Sequence, residues 1–217
     1  MRDVLVVMAK KPVAGEVKTR LAQRFGAEAA CALYRAFLRD LHARLSPGAW
    51  RMLWAVQPAG EDLSDDIGTR VTCLGQRGAD LGERMHNVFA DLFASSPPDT
   101  RIAMIGADVP HLAPASISAA FAALDAEDVV LVPTRDGGYC LVGLRRAVDL
   151  FTALPMGTDQ VLRRTEDRVR VLGLRLRLEP ETFDVDEPED LEALADLLRR
   201  GAVVLPHTAA LLRSFEF

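Results

Sequence analysis

The sequence predicts a single α/β domain, with a mostly parallel sheet covered by helices on both faces. Three observations predict it. The chain begins with a valine-rich apolar run. Short apolar runs then alternate with stretches of helical periodicity. No repeat, low-complexity stretch or linker divides the 217 residues into smaller units.

Val4 to Met8 is continuously apolar, the mark of a strand buried on both faces. A loop follows from Lys10 to Glu16, broken by Pro12 and Gly15, and helical sequence opens at Lys18. Beyond Gly26, the residues Ala30, Leu33, Tyr34, Phe37, Leu38, Leu41 and Leu45 keep a helical period. Met52 to Val56 reads as a second strand and Val71 to Leu74 as a short third. Leu81 to Phe93 is an amphipathic helix, with Met85, Val88, Phe89, Leu92 and Phe93 on one face. Ile102 to Ile105 is a buried strand, Pro114 to Leu124 a helix, Val129 to Val132 a strand, and Tyr139 to Leu144 extended. Thr158 is expected to cap a helix through Val161, Leu162 and Thr165. Val169 to Leu178 alternates apolar and polar residues and reads as an exposed edge strand. Pro188 starts a last helix to Arg200, where Pro and early acids suit the first turn. The domain is placed at residues 1–200. Residues 201–217 form an apolar, irregular tail with no assigned role, a candidate surface for a homodimer.

Composition narrows the function. Hydrophobic residues make up 49% and charged residues 26%, as in ordinary globular proteins. No apolar run approaches the roughly 20 residues of a membrane span. The run before Lys10 and Lys11 is too short for a signal peptide, so a cytoplasmic protein without a membrane partner is expected. A net charge of −5 gives no reason to expect nucleic acid. Cys31, Cys73 and Cys140, and likewise His42, His86, His111 and His207, show no zinc spacing.

The basic residues carry a sharper signal. Of 26, only Lys10, Lys11 and Lys18 are lysines, and they lie within nine residues. A lysine is a compact, strongly hydrated charge that suits a phosphate oxygen. Chance clustering of solvated charges is the bland alternative.

In a parallel α/β sheet, ligands bind beyond the carboxyl ends of the strands. The first strand ends in a loop with the physics of a phosphate cradle. Gly15 permits close backbone approach, Lys10 and Lys18 supply charge, and the following helix offers free N–H groups. The loop is neither a Walker P-loop nor a dinucleotide fingerprint. The strand at 102–105 runs into Gly106-Ala107-Asp108, where the acid either meets a hard cation or caps the next helix. Arg135-Asp136-Gly137-Gly138-Tyr139 is either a tight hairpin or a ligand-facing segment. On an extended segment Asp184 and Asp186 point the same way, which makes Asp186 a candidate second oxygen ligand. Glu189 and Asp190 are explained by the helix dipole.

These fragments, in this order, resemble a known bacterial family. Lys10-x-Pro12-x-x-Gly15-x-Val17-Lys18-Thr19-Arg20-Leu21 is similar to the opening motif of the domain of unknown function 2064, a glycosyltransferase-like group. Gly78-x-Asp80-Leu81-Gly82-Glu83-Arg84-Met85, Gly106-x-Asp108-x-Pro110-x-Leu112, Asp136-Gly137-Gly138-Tyr139 and Asp184-Val185-Asp186-x-Pro188-Glu189-Asp190-Leu191 resemble its later motifs. The group is similar to phospholactate and molybdenum-cofactor guanylyltransferases, within the GT-A-like nucleotide-diphospho-sugar transferases. The resemblance implies a GT-A-like three-layer α/β/α sandwich. It implies that Lys10, Gly15, Lys18, Thr19 and Arg20 bind a nucleotide, with Lys18, Arg20 and Asp108 catalytic. It further implies that Asp108 and Asp186 hold Mg2+ (or Mn2+), and that Asp136, Gly137, Gly138 and Tyr139 face a small-molecule acceptor. Two departures stand in the first loop, which is longer than in the phospholactate enzymes and has Ala14 where the group commonly has Pro.

The expected activity is transfer of a nucleoside monophosphate from an NTP to a small anionic acceptor, with pyrophosphate released. An ionised phosphate or carboxylate acceptor needs no general base, and Arg135 beside the acceptor motif points to an anion. The alternatives are a glycosyltransferase on the same fold, which would take a sugar nucleotide, and a non-catalytic nucleotide-binding protein.

Overall fold

The computed structural model describes residues 2–213. Seven strands form one sheet: β1 (Asp3–Lys10), β2 (Arg51–Gln57), β3 (Cys73–Gly75), β4 (Arg101–Gly106), β5 (Val129–Pro133), β6 (Tyr139–Leu144) and β7 (Leu176–Leu178). Their order is β3-β2-β1-β4-β6-β5-β7. All neighbours are parallel except β6, which runs antiparallel to both β4 and β5.

Strand periodicity divides the core in two. Leu5, Val7 and Ala9 of β1 face one side, together with Trp54, Val56, Ala103, Ile105, Val130 and Val132. On that side lie α1 (Thr19–Phe25), α2 (Ala27–Leu45), α3 (Ser64–Ile67), α5 (Pro114–Ala123), α7 (Pro188–Arg199) and α8 (Pro206–Leu212), all but α3 contributing an apolar face built like that of Leu33, Phe37 and Leu41 in α2. Val4 and Val6 face the other side with Leu53, Ala55, Ile102 and Met104, under α4 (Leu81–Ser95) and α6 (Val161–Val171). The result is the three-layer α/β/α sandwich, in one domain. Val4 to Val7 are at most 2% exposed, which explains why β1 is apolar without alternation.

Three details differ from the sequence reading. The alternation from Val169 does not begin a strand, because α6 continues to Val171 and β7 spans only Leu176–Leu178. Thr158 does not cap α6, whose N-cap is Gln160; the Thr158 hydroxyl instead donates to the Pro155 carbonyl at 2.9 Å. The tail is not irregular throughout. Residues 206–212 form α8, anchored where Asp40 of α2 accepts from the backbone N–H of His207 and Thr208 at 3.1 and 2.8 Å. Residues 214–217 of the expected tail lie outside the described residues. Among the described residues, no helix is long and apolar enough to cross a membrane.

Candidate functional site

The first loop is fastened before it reaches any ligand. Lys11 pairs with Asp66 at 3.0 Å and donates to the Asp62 carbonyl, while Arg35 donates to the Pro12 carbonyl at 2.9 Å. The Tyr34 hydroxyl accepts from the Lys10 N–H at 3.0 Å. Among the described residues no ion pair engages the Lys10 ammonium, in contrast to Lys11 and Lys18.

Lys18 has another partner set. Its Nζ donates to Asp108, to Asp186 Oδ1 at 2.8 Å and to the Val185 carbonyl at 2.7 Å, which uses all three ammonium protons. Its side chain is only 3% exposed. Burial would depress this ammonium, but the charges of Asp108 and Asp186 outweigh it and raise its pKa above the ordinary lysine value. Lys18 also has a left-handed backbone, φ 48° and ψ 45°, an outlier for a long side chain at the N-cap of α1. The sequence reading gave Lys18 a phosphate; the structure gives it two carboxylates.

Those carboxylates come from two neighbouring segments. Asp108 follows β4 directly, and its carbonyl accepts from the Val185 N–H at 2.9 Å. It does not cap α5, whose N-cap is Ala113. The extended segment before α7 buries Val185 completely and leaves Asp184 and Asp186 half-buried on the other side. Burial would raise the Asp186 pKa, but Lys18 and Arg20 reverse this and hold it below the usual carboxylate range. Asp184 lacks a cation. Burial, then repulsion from Asp136, Asp186 and Asp108, pushes it up to about 6.

A cavity of two lobes opens around this trio. One lobe, about 480 Å³, is lined by Lys10, Glu16 to Arg20, Tyr34, Gln57, Gln76, Arg84, Asp108 and Asp186. The other, about 300 Å³, is lined by Arg20, Thr134, Asp136, Gly138, Tyr139, Cys140, Met156, Asp184 and both carboxylate partners of Lys18. Asp108 and Asp186 thus stand where the lobes meet.

Among the described residues, no group of three or more His, Cys, Asp or Glu side chains is placed to hold a metal. Asp108 and Asp186 nonetheless offer two hard oxygen donors, each with one oxygen not bonded to Lys18. Two carboxylates, completed by phosphate and water oxygens, fit Mg2+, which keeps few protein ligands.

The model for the family described as "uncharacterized protein conserved in bacteria (DUF2064)" matches residues 40–158, just over half of the chain. The chain belongs to this family. A solved protein from Desulfovibrio desulfuricans G20, provisionally named a nucleotide-diphospho-sugar transferase, is 28% identical to it. The TM-score is 0.89, with 98% of this chain and 94% of that one covered. CMP:2-keto-3-deoxy-manno-octonic acid synthetase, solved with CTP, shares the fold at TM-score 0.60 and 12% identity over 93% and 100% of the two chains. A cytidylyltransferase from Leptospira borgpetersenii also has TM-score 0.60, at 13% identity over 99% and 93%. No match was found among curated proteins.

In this DUF2064 chain the first lobe gathers Lys10, Lys18, Thr19, Arg20, Asp108 and Asp186, and the second gathers Asp136, Gly138 and Tyr139. Two of the glycines named from sequence are off the walls. Gly15 has φ 84° and serves the turn of the loop, with Glu16 and Val17 lining the lobe instead. Gly137 turns the β5–β6 hairpin with φ 84°, and a Cβ there would meet the Asp159 carbonyl oxygen at 2.2 Å. Asp136 takes part in the same turn, its Oδ1 accepting from Thr134 Oγ1 at 2.6 Å and the Gly138 N–H at 3.0 Å. The sequence reading missed Tyr34, Gln76 and Arg84; Asp184 it named only as the neighbour of Asp186. Gln76 was findable as the residue just past β3, and Arg84 stood inside the quoted Gly78–Met85 motif. Tyr34 read only as a core position of α2.

Proposed function

We propose that this chain is a metal-dependent nucleotidyltransferase. The observation that carries the reading is the pair Asp108 and Asp186 at the junction of two lobes, one lined by unpaired or solvent-facing cations and the other by the Asp136–Tyr139 segment.

In this reading the first lobe holds an NTP. Lys10, Arg20 and Thr19 bind its phosphates, and Arg84 adds a further cation. Asp108 and Asp186 hold Mg2+ (or Mn2+) through the oxygens that Lys18 leaves free. The ion, when bound, neutralises charge on the phosphate being transferred. Lys18 fixes both carboxylates and holds the Asp186 pKa low. The second lobe holds the acceptor on the far side of the α-phosphate, so the chain contributes mainly alignment and charge. The CTP complex of a protein with a similar fold supports a nucleotide as the ligand.

Transfer from a sugar nucleotide is the second reading, favoured by the near full-length likeness to the Desulfovibrio protein. A thermal-shift panel separates the two, using the four NTPs, UDP-sugars and GDP-sugars, each with and without Mg2+ or Mn2+. A metal-dependent rise with one NTP supports nucleotidyl transfer. A rise with sugar nucleotides alone overturns it in favour of glycosyl transfer.

A further inference from the structure

The charge lining the second lobe bears on the class of acceptor, an inference that rests on the nucleotidyl-transfer reading. Besides Asp108 and Asp186, its wall carries Asp136 and Asp184. Arg20 is its single lysine or arginine among the described residues, and Arg20 already pairs with Glu187 at 3.0 Å. The cation that sequence offered for an anionic acceptor is elsewhere. Arg135 lies 5.2 Å from the centroid of the Phe183 ring and is off the wall. Nor is Lys18 free, since its three protons go to Asp108, Asp186 and the Val185 carbonyl.

A phosphate or carboxylate in this lobe would face Asp136 and Asp184, while the cations at its edge, Arg20 and the divalent ion of the proposed site, are committed to the nucleotide phosphates. In a half-buried space such like-charge contact is strongly unfavourable. A hydroxyl, by contrast, donates to a carboxylate. The turn fixes Asp136 through Oδ1 and leaves Oδ2 without a protein donor. The wall also offers the uncharged Thr134, Thr158 and Tyr139, with Met85, Met104 and Val161 suited to a carbon skeleton.

We propose that the acceptor is a hydroxyl compound bearing no phosphate or carboxylate, held through its hydroxyls by Asp136 and Asp184. In the transfer, the acceptor oxygen bonds to the α-phosphorus and the bond from that phosphorus to the bridging oxygen breaks. Pyrophosphate leaves with the electron pair, and the hydroxyl proton passes to water. This replaces the anionic class expected from the sequence.

The test loads the full chain with Mg2+ and the α,β-methylene analogue of the NTP that binds, then titrates inorganic phosphate by ligand-detected NMR. The wild type should show no second-lobe binding. The double variant Asp136→Asn, Asp184→Asn should gain the phosphate binding that the wild type lacks, since it keeps the turn and loses the charge. Phosphate binding to the loaded wild type, or a variant with unchanged affinity, overturns the acceptor class. The loading step is read separately. Failure of every nucleotide to bind removes the transferase reading and this inference with it, whereas phosphate binding after successful loading removes only the inference.

Discussion

Lys18 Nζ donates to Asp186 Oδ1 at 2.8 Å, which ties the first loop to a segment 168 residues further on. The same ammonium holds Asp108, so one side chain sets the spacing of both carboxylates at the junction of the lobes. Its left-handed backbone costs on the order of 1 kcal/mol. Such an outlier persists when its surroundings fix it, and three bonds at the tip of the side chain do so here. The loop that lines the first lobe is therefore coupled mechanically to the carboxylates.

Lys18→Met should destabilise the chain and change its response to metal. An ion pair broken in the interior costs about 3–5 kcal/mol, but Asp108 and Asp186 remain 41% and 43% exposed. Solvent screening reduces the loss to about 1–2 kcal/mol, a fall in melting temperature of about 2–8 °C. With no ammonium between the carboxylates, Mg2+ should raise the melting temperature of the variant more than that of the wild type. Calorimetry in EDTA and then in Mg2+ reads both effects, and equal metal shifts would separate the metal from this pair.

Asp108→Asn should keep the fold and lose the metal dependence of nucleotide binding. Asparagine retains an oxygen for Lys18 but no charge for a divalent ion. For the wild type, an NTP at a hundred times its dissociation constant adds about 2.7 kcal/mol. The variant with Mg2+ should show only the smaller shift that the wild type shows without it. A full Mg2+-dependent shift in the variant would remove Asp108 from the metal site.

Lys10→Ala should weaken an NTP by about tenfold and the matching NMP by much less. Lys11 is held by Asp66 and Lys18 by Asp108 and Asp186, so Lys10 is the lysine left to meet the outer phosphates. Titration calorimetry with both nucleotides measures the difference, and equal losses would place Lys10 away from the β- and γ-phosphates.

How far the sequence reached follows from where each signal lies. β1 and β4 were legible because burial on both faces makes Val4–Val7 and Ile102–Ile105 apolar without interruption. The start of β7 was misplaced because Val161, Thr165 and Val169 are spaced four apart, so one buried helical face overlaps an apparent alternation. Asp108, Asp136 and Asp186, singled out from the sequence, all line the cavity. The lysine cluster was visible but its division of labour was not, since Lys11 and Lys18 are claimed by Asp66 and Asp186, residues remote in sequence. The position of Arg135 was hidden for the same reason. Arg135 is adjacent to the motif in sequence, yet it lies against Phe183.

Asp184→Asn should stabilise the chain at neutral pH and do so progressively less in acid. Burial, together with Asp136, Asp186 and Asp108, raises the folded pKa of Asp184 to about 6, against roughly 3.9 when unfolded. The folded state therefore binds this proton more tightly than the unfolded state. Ionised Asp184 costs the fold stability above pH 6, and that cost fades as pH falls through 6 and is gone below about pH 4. Allowing for solvent screening of a half-buried group, the variant should gain about 1 kcal/mol at pH 7–8. Other groups titrate in the opposite sense. Asp186, held low by Lys18, and His111, lowered by burial to about 4, both withdraw stability on acidification. They are present in both proteins, so they largely cancel in the difference between variant and wild type. Urea unfolding in EDTA across pH 4–8 gives that difference. A gain that stays constant over the range would mean that the charge of Asp184 is already neutralised within the fold.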